Sequence, residues 1–281
     1  MRTVSTLFGD SPFRAGHEKT LRHHGRDRVA NVPDPSDLTN RYEPSVRDAA
    51  VATWRARMVN EHRSSAVFAG LLPQLIEASA PMDVQTAVLT AATDEIVHAT
   101  LCGDIVKAFG GEPIAQAEPT LTALPQHAGV DPLERVVRNV MFVGCLSETV
   151  AVALLEEERA LAQEPWVGDV IEVILADEIA HARLGWQFLA LQLPRLADGA
   201  RERLAAYLRV AFAYLERREL ELLPVSPPIA GEMLRQREAV GLCSGSGARD
   251  LFFDTLETVI VPRFEEMGIA AREAFRTRAP H

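Results

Sequence analysis

Apolar residues recur at helical spacing in four long stretches of this chain, and each stretch is bounded by proline, glycine or a capping residue. The first stretch has Ser45 as its expected cap and reaches Gly70, or Ala78 if the helix bends at Pro73. The pattern predicts an all-α protein whose four main helices run from Pro44 to Gly70 or Ala78, Met82 to Gly110, Pro132 to about Gln163, and Trp166 to Leu193.

The segments outside these stretches predict three domains. Residues 1–44 lack a sustained period and are expected to form an extended N-terminal arm, and residues 45–193 the helical bundle. Residues 112–130 carry three prolines and are long enough to cross the length of that bundle. Residues 194–281 are expected to form a helical extension packed on it, with helices near 199–222, 228–240 and 248–278 and a break at 244–247.

Two nearly identical hexapeptides, beginning at Asp94 and at Asp177, place ionisable residues on the apolar face of predicted helices. Each contains Glu-x-x-His, as Glu95 with His98 and as Glu178 with His181. Residues three apart share a helix face, so each pair can offer one oxygen and one nitrogen to the same metal ion. A buried carboxylate without a partner is costly, and a cation is the usual remedy.

Two further glutamates lie on apolar faces. Glu148 stands in the stretch from Met141 to Leu155, where only three of fifteen residues are polar, and Glu61 shares a stripe with Trp54, Met58 and other apolar side chains. The chain therefore carries Glu, Glu-x-x-His, Glu, Glu-x-x-His in order, with one element on each predicted helix. For every one of them the alternative is a buried ion pair or a helix-edge position.

This pattern resembles the ferritin-like di-iron carboxylate proteins, whose four-helix bundles take a Glu from two helices and Glu-x-x-His from the other two. The resemblance covers about residues 46–193. It implies a long crossover between the second and third helices and two bound iron ions, with manganese or a mixed pair as alternatives. The metal ligands it implies, which are also the catalytic residues, are Glu61, Glu95, His98, Glu148, Glu178 and His181.

Residues around the motifs carry weaker expectations. In many di-iron oxygenases an aspartate accepts a hydrogen bond from a ligating histidine, which implies such a role for Asp94 and Asp177. Cys102 stands where the resemblance to ribonucleotide reductase small subunits would need a tyrosine, and a buried structural thiol is the favoured interpretation. Gly144 and Gly185 either open room for dioxygen or substrate, or permit close helix packing.

Composition limits the cellular setting. The chain has 281 residues, 47% of them hydrophobic, a net charge of −10 and an odd number of cysteines, three. The negative charge disfavours nucleic-acid binding, and the cysteines favour free thiols. We expect no apolar run long enough to span a membrane and no export signal, and hence a cytoplasmic protein, with a homodimer as one expected assembly.

The resemblance leaves several functions open. An enzyme that uses dioxygen to hydroxylate, N-oxygenate or desaturate a small organic substrate is the leading interpretation, and it would need an external electron donor. A ferroxidase or other iron-handling protein is the alternative, and a metal-free helical interaction protein is a third class. Rubrerythrin-like chemistry is disfavoured because Ala151 replaces an expected glutamate, and N-oxygenation is unsupported because Ile174 replaces a third histidine.

Overall fold

The computed structural model is 76% helix, which confirms the predicted all-α class. It describes residues 1–7, 11–25, 27, 29, 33–118, 123–223, 229–243 and 245–279; the remaining parts of the predicted arm, crossover, break and C-terminal extension lie outside the described residues. In chain order the elements are β1 (Arg2–Ser5), α1 (Arg14–His23), α2 (Pro35–Thr39), α3 (Pro44–Glu77), α4 (Met82–Ala108), β2 (Ile114–Ala117), α5 (Pro132–Val140), α6 (Glu148–Leu161), α7 (Pro165–Gln192), α8 (Ala200–Leu222), α9 (Gly231–Ala239), α10 (Gly245–Thr255), α11 (Val261–Glu266) and α12 (Ala271–Arg276).

The ends of the long helices follow local sequence signals. α3 begins at Pro44, with Glu43 rather than the predicted Ser45 at the capping position, and continues through Pro73 to Glu77. α4 ends two residues before Gly110, which has a φ of 84°. α5 begins at Pro132 after Asp131, whose side chain accepts hydrogen bonds from the backbone amides of Leu133 and Glu134, so this predicted start is correct.

A π-helical segment, Met141–Ser147, joins α5 to α6 and ends immediately before Glu148. The periodicity predicts one regular helix over the whole stretch, because a change of a few hydrogen bonds leaves the spacing of apolar residues almost unaltered. π segments inside α-helices are frequently found at functional sites. Glu148 is therefore presented from the first residue of α6, where the helix returns to regular geometry.

The same stretch, Pro132–Leu161, is long and apolar enough to cross a membrane by length and composition, contrary to our expectation that no such run exists. In the described fold, 61% of its apolar window is buried inside the protein. A core helix passes the same test, so this property does not decide where the protein resides.

Two apolar clusters fill the centre of the protein, and the long helices pass from one to the other. Cluster I includes Phe68 and Val88, and cluster II includes Trp54 and Cys102. α3 and α7 run from cluster II to cluster I, whereas α4 and the α5–α6 stretch run from cluster I to cluster II. The connection between α4 and α5 therefore crosses the length of the core, as the sequence analysis expected of residues 112–130.

The N-terminal region is not uniformly extended, because it contains β1, α1 and α2. β1 pairs antiparallel with β2 from the crossing connection, with Val4 opposite Ala115. Just after β1, Thr6 packs so closely on Gly103 of α4 that a side chain at Gly103 would overlap it. Periodicity did not predict these elements, because four-residue strands and a single ten-residue helix are too short to show a clear spacing of apolar residues.

The helices after residue 194 share the core of the long helices. Leu204 and Phe212 of α8, Phe252 of α10 and Phe264 of α11 are all buried in cluster I. The predicted last helix at 248–278 is in fact divided, with a π-helical segment at Leu256–Ile260 and a turn at Gly268, which has a φ of 76°.

Gly144 and Gly185 bring the π-helical segment and α7 into backbone contact. A Cβ atom at Gly185 would lie 2.6 Å from the Cα of Gly144, and one at Gly144 would lie 2.6 Å from the Cα of Gly185. Real Cβ atoms do not approach backbone so closely, so the helices would have to move apart. These distances show the close helix packing that one of the two alternatives for these glycines predicts.

We predict that Gly185→Ala lowers the free energy of unfolding by about 1–3 kcal/mol, the usual cost of overpacking a tight core. Urea denaturation followed by circular dichroism measures it. The matched control is Gly16→Ala in α1, where a Cβ meets nothing within 4 Å. It should leave stability unchanged or raise it by up to about 1 kcal/mol. Equal effects of the two substitutions would contradict the packing explanation.

Candidate metal centre

The structure brings together all six side chains predicted as metal ligands, between clusters I and II. They come from α3, α4, α6 and α7 and form two groups, in each of which the potential ligand atoms lie within 4.8 Å of one another. One group contains Glu61, Glu95, His98 and Glu178, and the other contains Glu95, Glu148, Glu178 and His181. Each group can hold a metal ion.

Glu95 and Glu178 belong to both groups, and each divides its two oxygens between the two histidines. Glu178 places Oε1 3.3 Å from Nδ1 of His98 and Oε2 3.2 Å from Nδ1 of His181. Glu95 places Oε1 3.4 Å from Nδ1 of His181 and Oε2 3.9 Å from Nδ1 of His98. Two carboxylates in this position can bridge a pair of metal ions.

Glu61 and Glu148 each serve one group only. An oxygen of Glu61 lies 3.6 Å from Nδ1 of His98, and the Glu61 side chain is 15% exposed. Glu148 is buried and lies within hydrogen-bonding reach of Glu178, so two carboxyl groups meet there. The side of the centre next to Glu61 is thus the one that reaches solvent, and the side next to Glu148 is closed.

The two histidines turn Nδ1 toward the carboxylates and Nε2 toward the predicted aspartates. The pairing crosses between the motifs: Nε2 of His98 lies 3.2 Å from Asp177 and Nε2 of His181 lies 3.2 Å from Asp94. An Nε2–H donated to an aspartate leaves the Nδ1 lone pair for a metal ion. Each motif's aspartate therefore supports the other motif's histidine.

Burial makes the cluster difficult to satisfy without a cation. His98 is fully buried and Glu95 is 1% exposed, yet Nδ1 of His98 and Oε2 of Glu95 have no hydrogen-bond partner among the described residues. An unsatisfied buried polar atom costs about 1–3 kcal/mol. Two divalent cations would satisfy both atoms and balance the charge of the four carboxylates, so the residues present fit a metal pair.

No protein-family model matches the chain, and neither does any curated protein or solved structure. What this centre can do therefore rests on its geometry and chemistry.

The electrostatics of the metal-free cluster are those of acids sharing protons. Burial, with repulsion from Glu178, raises the pKa of Glu95 and of Glu148 well above the ordinary value. Burial opposes ionisation of Glu178 as well, but hydrogen bonds with Glu148 and His181 and the nearby imidazole of His98 outweigh it and lower the pKa of Glu178. For His98 and His181 burial disfavours the charge, yet hydrogen bonds to carboxylates raise the pKa of both.

Cys102 lies in neither ligand group. It is fully buried in cluster II, and burial raises the pKa of its thiol well above the ordinary value, so it stays protonated. These observations favour the structural interpretation of Cys102.

A small apolar cavity borders the centre on the side of His181. Its walls include Phe68, whose ring centroid lies 5.1 Å from that of His181, together with Val88, Gly144 and Gly185. The cavity has a volume of about 10 Å³, measured as the space that the centre of a water molecule can occupy. That is room for about one water-sized molecule.

One contact of the centre was missed by sequence reasoning. His24, which lies in the predicted extended N-terminal arm, hydrogen-bonds to Asp94 through Nδ1. No periodic or motif signal surrounds His24, because α1 reaches the centre only at its C-terminal end. The contact depends on tertiary packing alone.

We predict that the purified protein binds about two divalent ions per chain and that ligand substitutions reduce this number selectively. Glu61→Ala and Glu148→Ala each remove a ligand of one group and should leave about one ion, whereas Glu95→Ala removes a shared ligand and should leave none bound tightly. Metal analysis after loading and desalting gives the count.

The matched control is Glu134→Gln, because Glu134 is also a buried carboxylate but pairs with Arg138 and Arg203 outside the centre. It should retain about two ions. Loss of metal from Glu134→Gln to the same extent as from Glu95→Ala would show that the effect reports general unfolding and not ligation.

We also predict that metal affinity increases with pH. The raised pKa values of Glu95, Glu148, His98 and His181 favour the protonated forms of these groups without a metal, and metal binding must displace those protons. Lowering the pH restores those protons and weakens binding. Calorimetric titration with Mn²⁺ between about pH 6 and about pH 8 tests this, and a flat pH dependence would contradict it.

Proposed function

We propose that the protein is a ferritin-like, non-haem di-iron oxidoreductase that uses dioxygen to oxidise a small organic substrate. The observation that carries this proposal is the pair of ligand groups that share Glu95 and Glu178. A shared carboxylate pair holds two metal ions close enough to act together, which a single-metal site does not do.

The directions of the helices support the ferritin-like part of the proposal. α4 and the α5–α6 stretch run the same way through the core, and a long connection joins them. A crossover of this kind separates ferritin-like bundles from simple up-and-down bundles. The ligands come from four helices in the order that such bundles use.

The donor atoms favour iron or manganese. Four carboxylates and two imidazoles provide oxygen and nitrogen donors, and neither ligand group contains a cysteine sulfur. When bound, a pair of ferrous ions supplies the electrons that reduce dioxygen. A manganese pair or a mixed pair uses the same donors, so the identity of the metal is determined by metal analysis.

The chain's own residues supply geometry and a dry surrounding. Asp94 and Asp177 hold the tautomers of His181 and His98 through Nε2. Phe68, Val88 and their apolar neighbours line the cavity next to His181, and a cavity of about 10 Å³ matches a diatomic gas better than an organic molecule. Turnover as an oxygenase then requires an organic substrate to open more space and an external donor to supply electrons.

The ferroxidase alternative is favoured by two specific observations. The cavity as described has no room for an organic substrate, and the Glu61 side of the centre reaches solvent, where iron ions can enter. In that case ferrous iron itself is the substrate. Against it, the N-terminal region and the helices after residue 194 add much structure that an iron-oxidising bundle does not need.

Mixing the anaerobic ferrous protein with dioxygen in a stopped-flow spectrometer tests the proposal and separates the two functions. We expect fast oxidation of about two irons per chain with a transient absorption band, whose decay accelerates when an organic substrate is present. Glu148→Ala should lose the fast phase, whereas Glu134→Gln should keep it.

Continued oxidation and retention of iron added beyond about two per chain would favour the ferroxidase and contradict the oxygenase. Absence of bound metal, or bound metal that does not react with dioxygen faster than free ferrous iron, would overturn both functions.

A further inference from the structure

The two histidines of the metal centre are held by different surroundings. Asp94, the partner of His181, accepts hydrogen bonds on both oxygens, from Nε2 of His181 at Oδ2 and from Nδ1 of His24 at Oδ1. Asp177, the partner of His98, contacts that histidine through Oδ2, and no other side chain in the described part of the chain donates to it. The Asp94 side chain is 10% exposed and that of Asp177 is 31% exposed.

His24 reaches Asp94 because the end of α1 is fixed against the long helices. Leu21, in the last turn of α1, is buried in cluster II, and His24 follows at the C-terminal cap. A carboxylate with each oxygen held by a different imidazole cannot rotate, and it therefore fixes the ring that it accepts from. A carboxylate held at one oxygen and partly exposed retains that freedom.

We propose that His24 is a positioning residue of the metal centre, which acts through Asp94 to hold His181 and so makes the Glu148–His181 position bind metal more tightly than the Glu61–His98 position. The inference rests on the metal site of the proposed function and not on its oxygen chemistry. It assigns a residue of the N-terminal region to the metal centre. The helical bundle alone therefore does not contain every residue on which the centre depends.

Background variants isolate each metal position for the test. Glu61→Ala leaves the ligand group of His181 intact, and Glu148→Ala leaves the group of His98 intact. His24→Ala is introduced into both backgrounds, and Mn²⁺ binding is measured by calorimetry. Affinity should fall about three- to tenfold in the Glu61→Ala background and should not change in the Glu148→Ala background, because loss of a direct aspartate partner costs about 10- to 100-fold and His24 lies one contact further out.

Conservative variants test the atom that makes the contact. Asparagine places an amide N–H near the position of Nδ1, whereas glutamine places it near Nε2. His24→Asn should therefore restore the affinity that His24→Ala loses, and His24→Gln should restore less. Lys19→Ala is the control for a substitution elsewhere on α1, since Lys19 is exposed, and it should have no effect on Mn²⁺ affinity.

The outcomes separate this inference from the proposed function. If the parent protein binds no metal, the proposed function fails. If it binds about two ions but His24→Ala weakens both positions equally, or weakens neither, His24 only attaches α1 to the core and the inference is wrong. Circular dichroism of each variant checks that the helices remain folded.

Discussion

The structure at the centre of this protein depends on the free-energy cost of burying charged side chains. A layer of four glutamates and two histidines separates two apolar clusters, and most of these side chains are almost completely removed from water. Burial and the neighbouring charges displace the pKa values of adjacent groups in opposite directions, upward for Glu95 and downward for Glu178. Hydrophobic association brings the four helices together, but it does not offset the free-energy cost of burying the ionisable side chains of that layer. A pair of divalent cations would offset that cost, and the residues of the layer fit one.

The sequence predicted the parts of this arrangement that have a period or a spacing. Apolar residues at helical spacing predict the four long helices. Ionisable residues among those apolar positions predict the inward position of Glu148 and of both Glu-x-x-His pairs. The N-terminal helices, the strand pairing and the π-helical segment have no such signal. Strand β1 is four residues long and is specified by its contacts with β2 and α4.

The aspartates show the limit of reasoning from local sequence most clearly. Each is adjacent to a ligand along the chain, so a supporting role was predicted from position. The sequence could not show that the roles are exchanged between motifs, because the exchange depends on how α4 faces α7. His24 is a further case, since only tertiary structure brings the end of α1 to Asp94.

The exchange of partners has a consequence for how the site assembles and changes. Asp94 and His181 are 87 positions apart, and Asp177 and His98 are 79 apart, so neither hexapeptide is a working unit by itself. Contacts so distant along the chain form only after both helices have docked, which places completion of the centre late in folding. The two motifs therefore depend on each other. A substitution at either aspartate affects a histidine on the opposite helix, and a compensating substitution must arise on that helix.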